Sequence, residues 1–405
     1  AIHDILKDYD KALTFYKDAI KSWKQLNNNY DMAPAVFNIA NLYNTQGNLD
    51  NALKNVTESI QLSKKIKNKT LLGTSYNLLG AILNNKQKFD ESLKYLKKAL
   101  KIKNELNEPE GISNALKSIG HTYYRKGQYK EAMVYYKKSL KERRVIGAKA
   151  GIARSLRYIG DTFKKMGEYN QAVESYKESL GITQSIEAHD ESSRILNRLG
   201  NIYSRMGRYE EALVLLLKSK DIKTEIQDFE NLGYTLLEIS SAYRWQGDYK
   251  LASKYNLESI RVAEEYDMKK LLSNNLYHQS LMLISKGHYK EAKGIIEKAI
   301  SIAKKMEYMS NAAKYLDCLG IILRHEKKFN DAIKVINNAL AISKLIGDKH
   351  GLRKYLNSIG LVKEMKGDFK EALDLYIKCL DLSKKISEKR SIAVSYNNMA
   401  GMYQV

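Results

Sequence analysis

A small residue returns every forty positions along this chain, as Gly80, Gly120, Gly160, Gly200, Gly320 and Gly360, with Ala40, Ser240, Ser280 and Ala400 in the same phase. A period of this length marks a stack of repeats, because one such unit cannot bury its apolar face alone and must lean on the next copy. The recurrence extends to other columns. Seven residues after the small position stand Gly47, Gly127, Gly167, Gly207, Gly247, Gly287 and Gly367, with Gln87 and Lys327 as exceptions. An aromatic follows two residues later, as in Phe89, Tyr129, Tyr169 and Tyr209, and then a second small column, as in Ala132, Ala172 and Ala212. A last column reads Ser59, Ala99, Ser139, Ser179, Ser219, Ser259, Ala299, Ala339 and Cys379.

Each unit reads as two antiparallel helices. Ile195, Leu196, Leu199, Ile202 and Tyr203 share one helical face; Gly207 ends that helix, and Tyr209, Ala212, Leu213, Leu216 and Leu217 begin another after a very short turn. The small columns then mark helix crossings too close for two bulky side chains, with Gly200 and Ala212 at one of them. Pro34 and Pro109 are the only prolines, and both are expected at a helix start or in a connection. Connections such as 107–110 are short and polar, so residues 1–405 are expected to form one array without a linker. In this phase nine complete pairs run from about Asp31 to Arg390. Ala1 to Asp8 reads as the tail of an earlier first helix, and Ser391 to Val405 as a first helix without a second. Both ends therefore read as cut repeats, as in a piece of a longer protein. Tyr396, Met399, Met402 and Tyr403 make the last helix apolar, which a second copy of the chain could cover.

The residues offer little chemistry. His3, His121, His189, His278, His288, His325 and His350 contain no pair at metal-ligand spacing, Cys318 and Cys379 fall in different repeats, and the glycines punctuate turns rather than form a phosphate loop. The reading is therefore of a non-enzyme with no metal, cofactor or catalytic residues. No apolar run approaches the roughly eighteen residues of a membrane span. Two separated cysteines fit a reducing, cytoplasmic setting.

The stretch Leu196-Asn197-Arg198-Leu199-Gly200-Asn201-Ile202-Tyr203, followed by Gly207-Arg208-Tyr209-Glu210-Glu211-Ala212-Leu213, resembles the tetratricopeptide repeat family. The likeness is to its 40-residue variety, found in Leu-Gly-Asn-type adaptors and bacterial signalling proteins. It covers the whole chain, although the proline that closes many shorter members is missing and Lys363 stands where a tyrosine is usual. The resemblance implies an all-α, right-handed superhelical solenoid whose first helices line a concave face. It also implies partner contacts six, three and two residues before the small column and one, four and five after it. On this chain those offsets select a neutral amide-rich zone with Asn38, Asn41, Asn44, Asn77, Asn84 and Asn85. A basic zone follows with Asn114, Lys117, His121, Arg125, Arg154, Arg157, Lys164, Lys165, Arg194, Asn197, Arg198, Asn201 and Arg205, where Asp161 is the only acid. A mixed zone carries Tyr234, Leu237, Arg244, Trp245, Tyr277, Leu281, Ile284, Ile321 and Arg324.

Cations crowded in a groove raise its potential, and an anionic partner relieves the repulsion. Arginine forks bind carboxylates while amides bond an extended backbone. The leading reading is a non-catalytic scaffold that binds an acidic or amphipathic peptide of a protein partner. Reversing Arg154, Arg157 and Arg194 is expected to abolish binding with the fold nearly intact. A formal net charge of +22 keeps a nucleic-acid-binding groove as the second reading. A third makes the chain a sensory or autoinhibitory segment of a larger signalling enzyme, and the bland alternative is a solvated basic helix face.

Overall fold

The structure, a computed structural model, describes residues 9–385 and 389–403, and every regular element in them is an α-helix. The segment 1–8, read above as the tail of an earlier helix, lies outside the described residues. The first ten helices are α1 (Tyr9–Gln25), α2 (Asn29–Thr45), α3 (Leu49–Lys65), α4 (Lys69–Asn85), α5 (Phe89–Glu105), α6 (Pro109–Arg125), α7 (Tyr129–Ile146), α8 (Lys149–Met166), α9 (Tyr169–Ser185) and α10 (His189–Arg205). They are followed by α11 (Tyr209–Glu225), α12 (Phe229–Gln246), α13 (Tyr249–Glu265), α14 (Lys269–Ser285), α15 (Tyr289–Lys305), α16 (Met309–His325), α17 (Phe329–Leu345), α18 (Lys349–Lys366), α19 (Phe369–Lys385) and α20 (Lys389–Met402). The chain divides into two compact units, Ala1–Ile202 and Tyr203–Val405. Each is an all-α stack of helical hairpins.

A residue in the left-handed region closes a helix every twenty positions from Asn27 to Gly367. At the turn after α6, the Gly127 N–H donates to the Tyr124 carbonyl (3.1 Å) and the Gln128 N–H to that of Tyr123 (2.9 Å), satisfying carbonyls the helix end leaves open. Gln87 and Lys327, which break the glycine column, adopt the same conformation with φ of 61° and 59°. The hydrogen-bonded turn thus imposes it even where a side chain resists. Pro109 is the first residue of α6, as expected. Pro34 is not at a helix start: it lies inside α2, in the second turn, where it removes one backbone donor.

The small columns are crossings of a large residue over a missing one. A Cβ at Gly120 would stand 2.8 Å from the Tyr136 ring, and one at Gly160 would stand 2.6 Å from the Tyr176 ring. Gly200 and Ala212 are both buried. The serine column does more than save space. Ser139 Oγ donates to the Ser113 carbonyl (2.8 Å) and Ser179 Oγ to that of Ala153 (2.7 Å), each tying a second helix to the first helix of its own pair.

First helices of successive pairs touch one another, as α4 does α6 and α16 does α18, whereas second helices of successive pairs make no comparable approach. The first helices therefore line the shorter, inner side of each unit, and their polar side chains bond across it. Asn85 Nδ2 donates to Asn44 Oδ1 at 3.1 Å in unit 1, and Asn398 Nδ2 to Asn357 Oδ1 at 2.9 Å in unit 2. On α20, Tyr396 and Tyr403 are exposed.

Candidate functional site

In unit 1 the helices α4, α5 and α6 frame an open groove of about 790 Å³. Asn77, Asn114 and Lys117 line it together with Lys103, Glu108 and Glu110. Three residues expected at the site are thus brought to one surface. The Asn77 Oδ1 is buried without a hydrogen-bond partner. At the groove floor Lys103 is satisfied: its ammonium donates to Glu108 (2.5 Å) and to the Thr70 carbonyl (3.1 Å).

Lys117 has no such partner. Burial pushes its ammonium below the usual lysine range, and the guanidinium groups of Arg143 and Arg154 push it further. Arg143, on α7, is 7% exposed; its Nη2 donates to Asn114 Oδ1 at 3.1 Å, and its Nε is buried with no acceptor. Arg154, on α8, is exposed and turns its Nε toward the Ala150 carbonyl at 3.4 Å. His121 is exposed at its surface, yet the desolvation of its surroundings, then Arg125 and Lys117, lower its pKa below the usual imidazole value. Arg125 itself donates to the Asn84 carbonyl (2.9 Å) and Asn85 Oδ1 (3.3 Å).

One repeat further on, the basic zone is neutralised within the chain. Arg157 Nε donates to Glu191 at 2.5 Å and its Nη1 lies 3.7 Å from Asp161, with side-chain exposures of 11%, 17% and 16% for Arg157, Glu191 and Asp161. Burial works against its charge, but Glu191, Tyr158 and Asp161 outweigh it and raise the pKa. Asp161 also accepts from the Tyr176 hydroxyl (2.6 Å) and pairs with Arg198 (3.0 Å). Arg194 pairs with Asp190 at 2.9 Å. Lys164, Asn197 and Asn201 are half-buried on α8 and α10, and Arg205 is exposed. Asp161 is therefore joined by Asp190 and Glu191, which stand in the first turn of α10 outside the offsets used to choose site residues. Reversing Arg157 would leave Glu191 and Asp161 facing a third carboxylate, so the triple reversal of Arg154, Arg157 and Arg194 tests folding as well as binding.

In unit 2, Tyr234 is 37% and Trp245 60% exposed, and the Arg244 guanidinium stacks 4.5 Å over the Trp245 ring. The inward offsets also fall on His278 and Lys314, two and six residues before their small columns, and these form a polar centre that the residues named above leave out. Burial, with Lys314 and Arg244 nearby, holds His278 down to about 3, and its Nδ1 lies 3.2 Å from Ser241 Oγ. Lys314 stands 4.1 Å over the Tyr277 ring; burial, then Lys354, brings it down to about 8. Among the described residues there is no group of three or more His, Cys, Asp or Glu able to hold a metal, and no helix long and apolar enough to cross a membrane. Cys318 and Cys379 are free and buried.

Stacked helical hairpins joined by left-handed turns, with a polar face along the first helices, define a helical-repeat protein of the kind that serves as an interaction scaffold. The tetratricopeptide repeat profile matches residues 71–144, 146–225 and 311–385, and a second tetratricopeptide repeat profile matches 273–306. The chain belongs to the tetratricopeptide repeat family. A profile for anaphase-promoting complex subunit 5 matches residues 2–86 and 201–286. No curated protein matches the chain. Among solved structures, the apo form of the quorum sensor NprR from B. thuringiensis is similar at 17% identity and a TM-score of 0.58, over 93% of this chain and 99% of that one. A Rap protein complexed with Competence and Sporulation Factor is similar at 14% identity and 0.52, over 83% and 98%. The apo form of RapI matches at 15% and 0.52, over 66% and 96%. At these identities the likeness is one of fold.

Proposed function

We propose that this scaffold binds an acidic peptide segment of a protein partner along the inner face of unit 1, in the groove between Asn77 and Arg154. One observation carries the reading: Lys117, Arg143 and Arg154 gather beside a groove lined by Asn77 and Asn114, none of the three cations in an ion pair, with Glu110 the one carboxylate that acts on Arg143. Desolvated like charges destabilise the empty site, and an anionic ligand relieves that cost. Asn77 and Asn114 supply amides suited to the backbone of an extended chain. A similar fold has been crystallised with the Competence and Sporulation Factor bound. Tyr234, Arg244 and Trp245 are proposed as a separate aromatic and cationic contact surface of unit 2. Arg157, Arg194 and Arg198 serve the architecture through their own acids.

The test is fluorescence anisotropy with a labelled peptide of alternating glutamate and leucine, against the wild type and a Lys117→Glu/Arg154→Glu variant. Binding should weaken by at least about tenfold, or roughly 1.4 kcal/mol, with unchanged helicity. Equal affinity for both proteins removes the groove. Tighter, steeply salt-dependent binding of a single-stranded RNA of similar length would replace the peptide reading with the nucleic-acid one.

A further inference from the structure

We infer that the ligand segment carries a phosphorylated side chain and that Lys117, Arg143 and Arg154 receive its phosphate. The inference rests on the groove reading above and narrows the chemistry of what enters it. The repeats provide their own controls. Lys103 occupies the position in its repeat that Arg143 occupies in the next, and it has Glu108 as a counter-ion; the residue corresponding to Glu108 is Ala148. Lys117 likewise corresponds to Arg157, whose counter-ions Asp161 and Glu191 correspond to His121 and Gly151. The two sets of missing acids fall at one place. Three cations share it: beyond the effect of burial, Arg143 depresses Lys117 and Arg154 depresses both, while Tyr158 and Glu110 offset part of this at Arg143.

Position 151 adds shape to charge. A Cβ there would stand 2.5 Å from Arg143 Nη1, so the absence of a side chain makes room for the guanidinium. Arg143 Nη2 is held by Asn114, while its Nε is buried and unsatisfied. One ammonium and two guanidinium forks outnumber the charge of a single carboxylate. A phosphomonoester brings about −1.5 to −2 charges and three acceptor oxygens, which matches them. Glu108 and Glu110 line the same groove and repel a ligand charged along its whole length. A nucleic-acid backbone, charged at every residue, is disfavoured most on this ground; an acidic peptide interspersed with apolar residues is accommodated better, and one with its charge concentrated at one residue best.

The experiment compares three labelled peptides of one sequence, with serine, glutamate or phosphoserine at a central position, by anisotropy against the wild type, Arg143→Gln and Arg154→Gln. The phosphopeptide should bind at least about tenfold tighter than the glutamate peptide, and each variant should erase most of that advantage while the glutamate peptide loses little. Arg154 is exposed, so its variant reports even if Arg143→Gln fails to fold. Equal binding of phosphoserine and glutamate peptides overturns the phosphate inference and leaves the groove reading standing. No binding of any of the three removes both. A single-stranded RNA that displaces the phosphopeptide and depends equally on Arg154 overturns the assignment to a peptide.

Discussion

Lys117 and Arg157 occupy the same position in successive repeats of unit 1, forty residues apart. Both are half-buried cations on the inner face of a first helix, yet their surroundings drive them in opposite directions. Acids lift Arg157, whereas burial and cations depress Lys117. Two substitutions between repeats account for the contrast, since Asp161 and Glu191 of one become His121 and Gly151 of the other. One repeat has therefore closed its charges into the architecture, and its neighbour presents the same kind of charge to whatever enters the groove. Repeat proteins make such a comparison unusually clean, because packing is held nearly constant while the side chains around one position change.

The largest break in the comparison should come from Asp161→Ala. Asp161 accepts from Tyr176 and pairs with Arg198 and Arg157 at once, so its loss leaves a buried hydroxyl and Arg198 without their acid, while Arg157 keeps Glu191. Removing one partner of such a network costs about 3 kcal/mol. Urea unfolding should show that loss, and the variant should gain affinity for anionic peptides because Arg198 is released. A stability change below about 1 kcal/mol would mean the network is incidental.

Two matched tyrosines give the next effect. Tyr176 crosses Gly160 and donates to Asp161, whereas Tyr136 crosses Gly120 in the preceding repeat, where His121 replaces the acid. Tyr176→Phe should cost about 1.5–3 kcal/mol, the range for a hydrogen bond to a charged group. Tyr136→Phe should stay within about 0.5 kcal/mol. Thermal melts of the two variants side by side separate the hydrogen bond from the packing, which both substitutions keep. Equal losses would show that ring packing alone dominates.

Hydrophobic period and turn spacing made the helical stack legible in the sequence, because packing columns recur in every copy. Gln87 and Lys327 follow the same rule, since backbone hydrogen bonds enforce a turn that a glycine count only approximates. Site chemistry was harder to read for a physical reason. Offsets within the first helix select which side chains face inward, and Asn77, Asn114 and Lys117 do meet at one groove. They do not reveal which of those charges is already paired, because the partners come from elsewhere. Glu191 reaches Arg157 from the first turn of α10, and Arg143 joins Lys117 from a second helix that the offsets leave out. His278 and Lys314 do fall on inward offsets, but what sets them apart is burial and each other's proximity, neither of which has a sequence pattern. The proline rule failed at Pro34 because one lost donor in the second turn is a tolerable cost in a well-packed helix.

The smallest effect should come from supplying the missing acid. His121→Asp places a carboxylate four residues from Lys117, at the position Asp161 holds relative to Arg157. At the edge of the groove the pair should add about 0.5 kcal/mol at neutral pH and weaken phosphopeptide binding by competing for the same cations. The acid limb of the stability curve should change shape as well. In the wild type the folded pKa of His121 lies below its ordinary 6.5. Unfolded chains therefore take up the proton first, and stability is lost as pH falls from 6.5 toward the folded value. The variant lacks that loss and should instead lose its added stability through the carboxylate range, near pH 4. Urea midpoints measured from pH 7 to pH 4 would show the sign: a flatter curve above pH 5 for the variant upholds the comparison between Lys117 and Arg157. An unchanged curve combined with undiminished phosphopeptide binding would show that position 121 does not set the charge state of the groove.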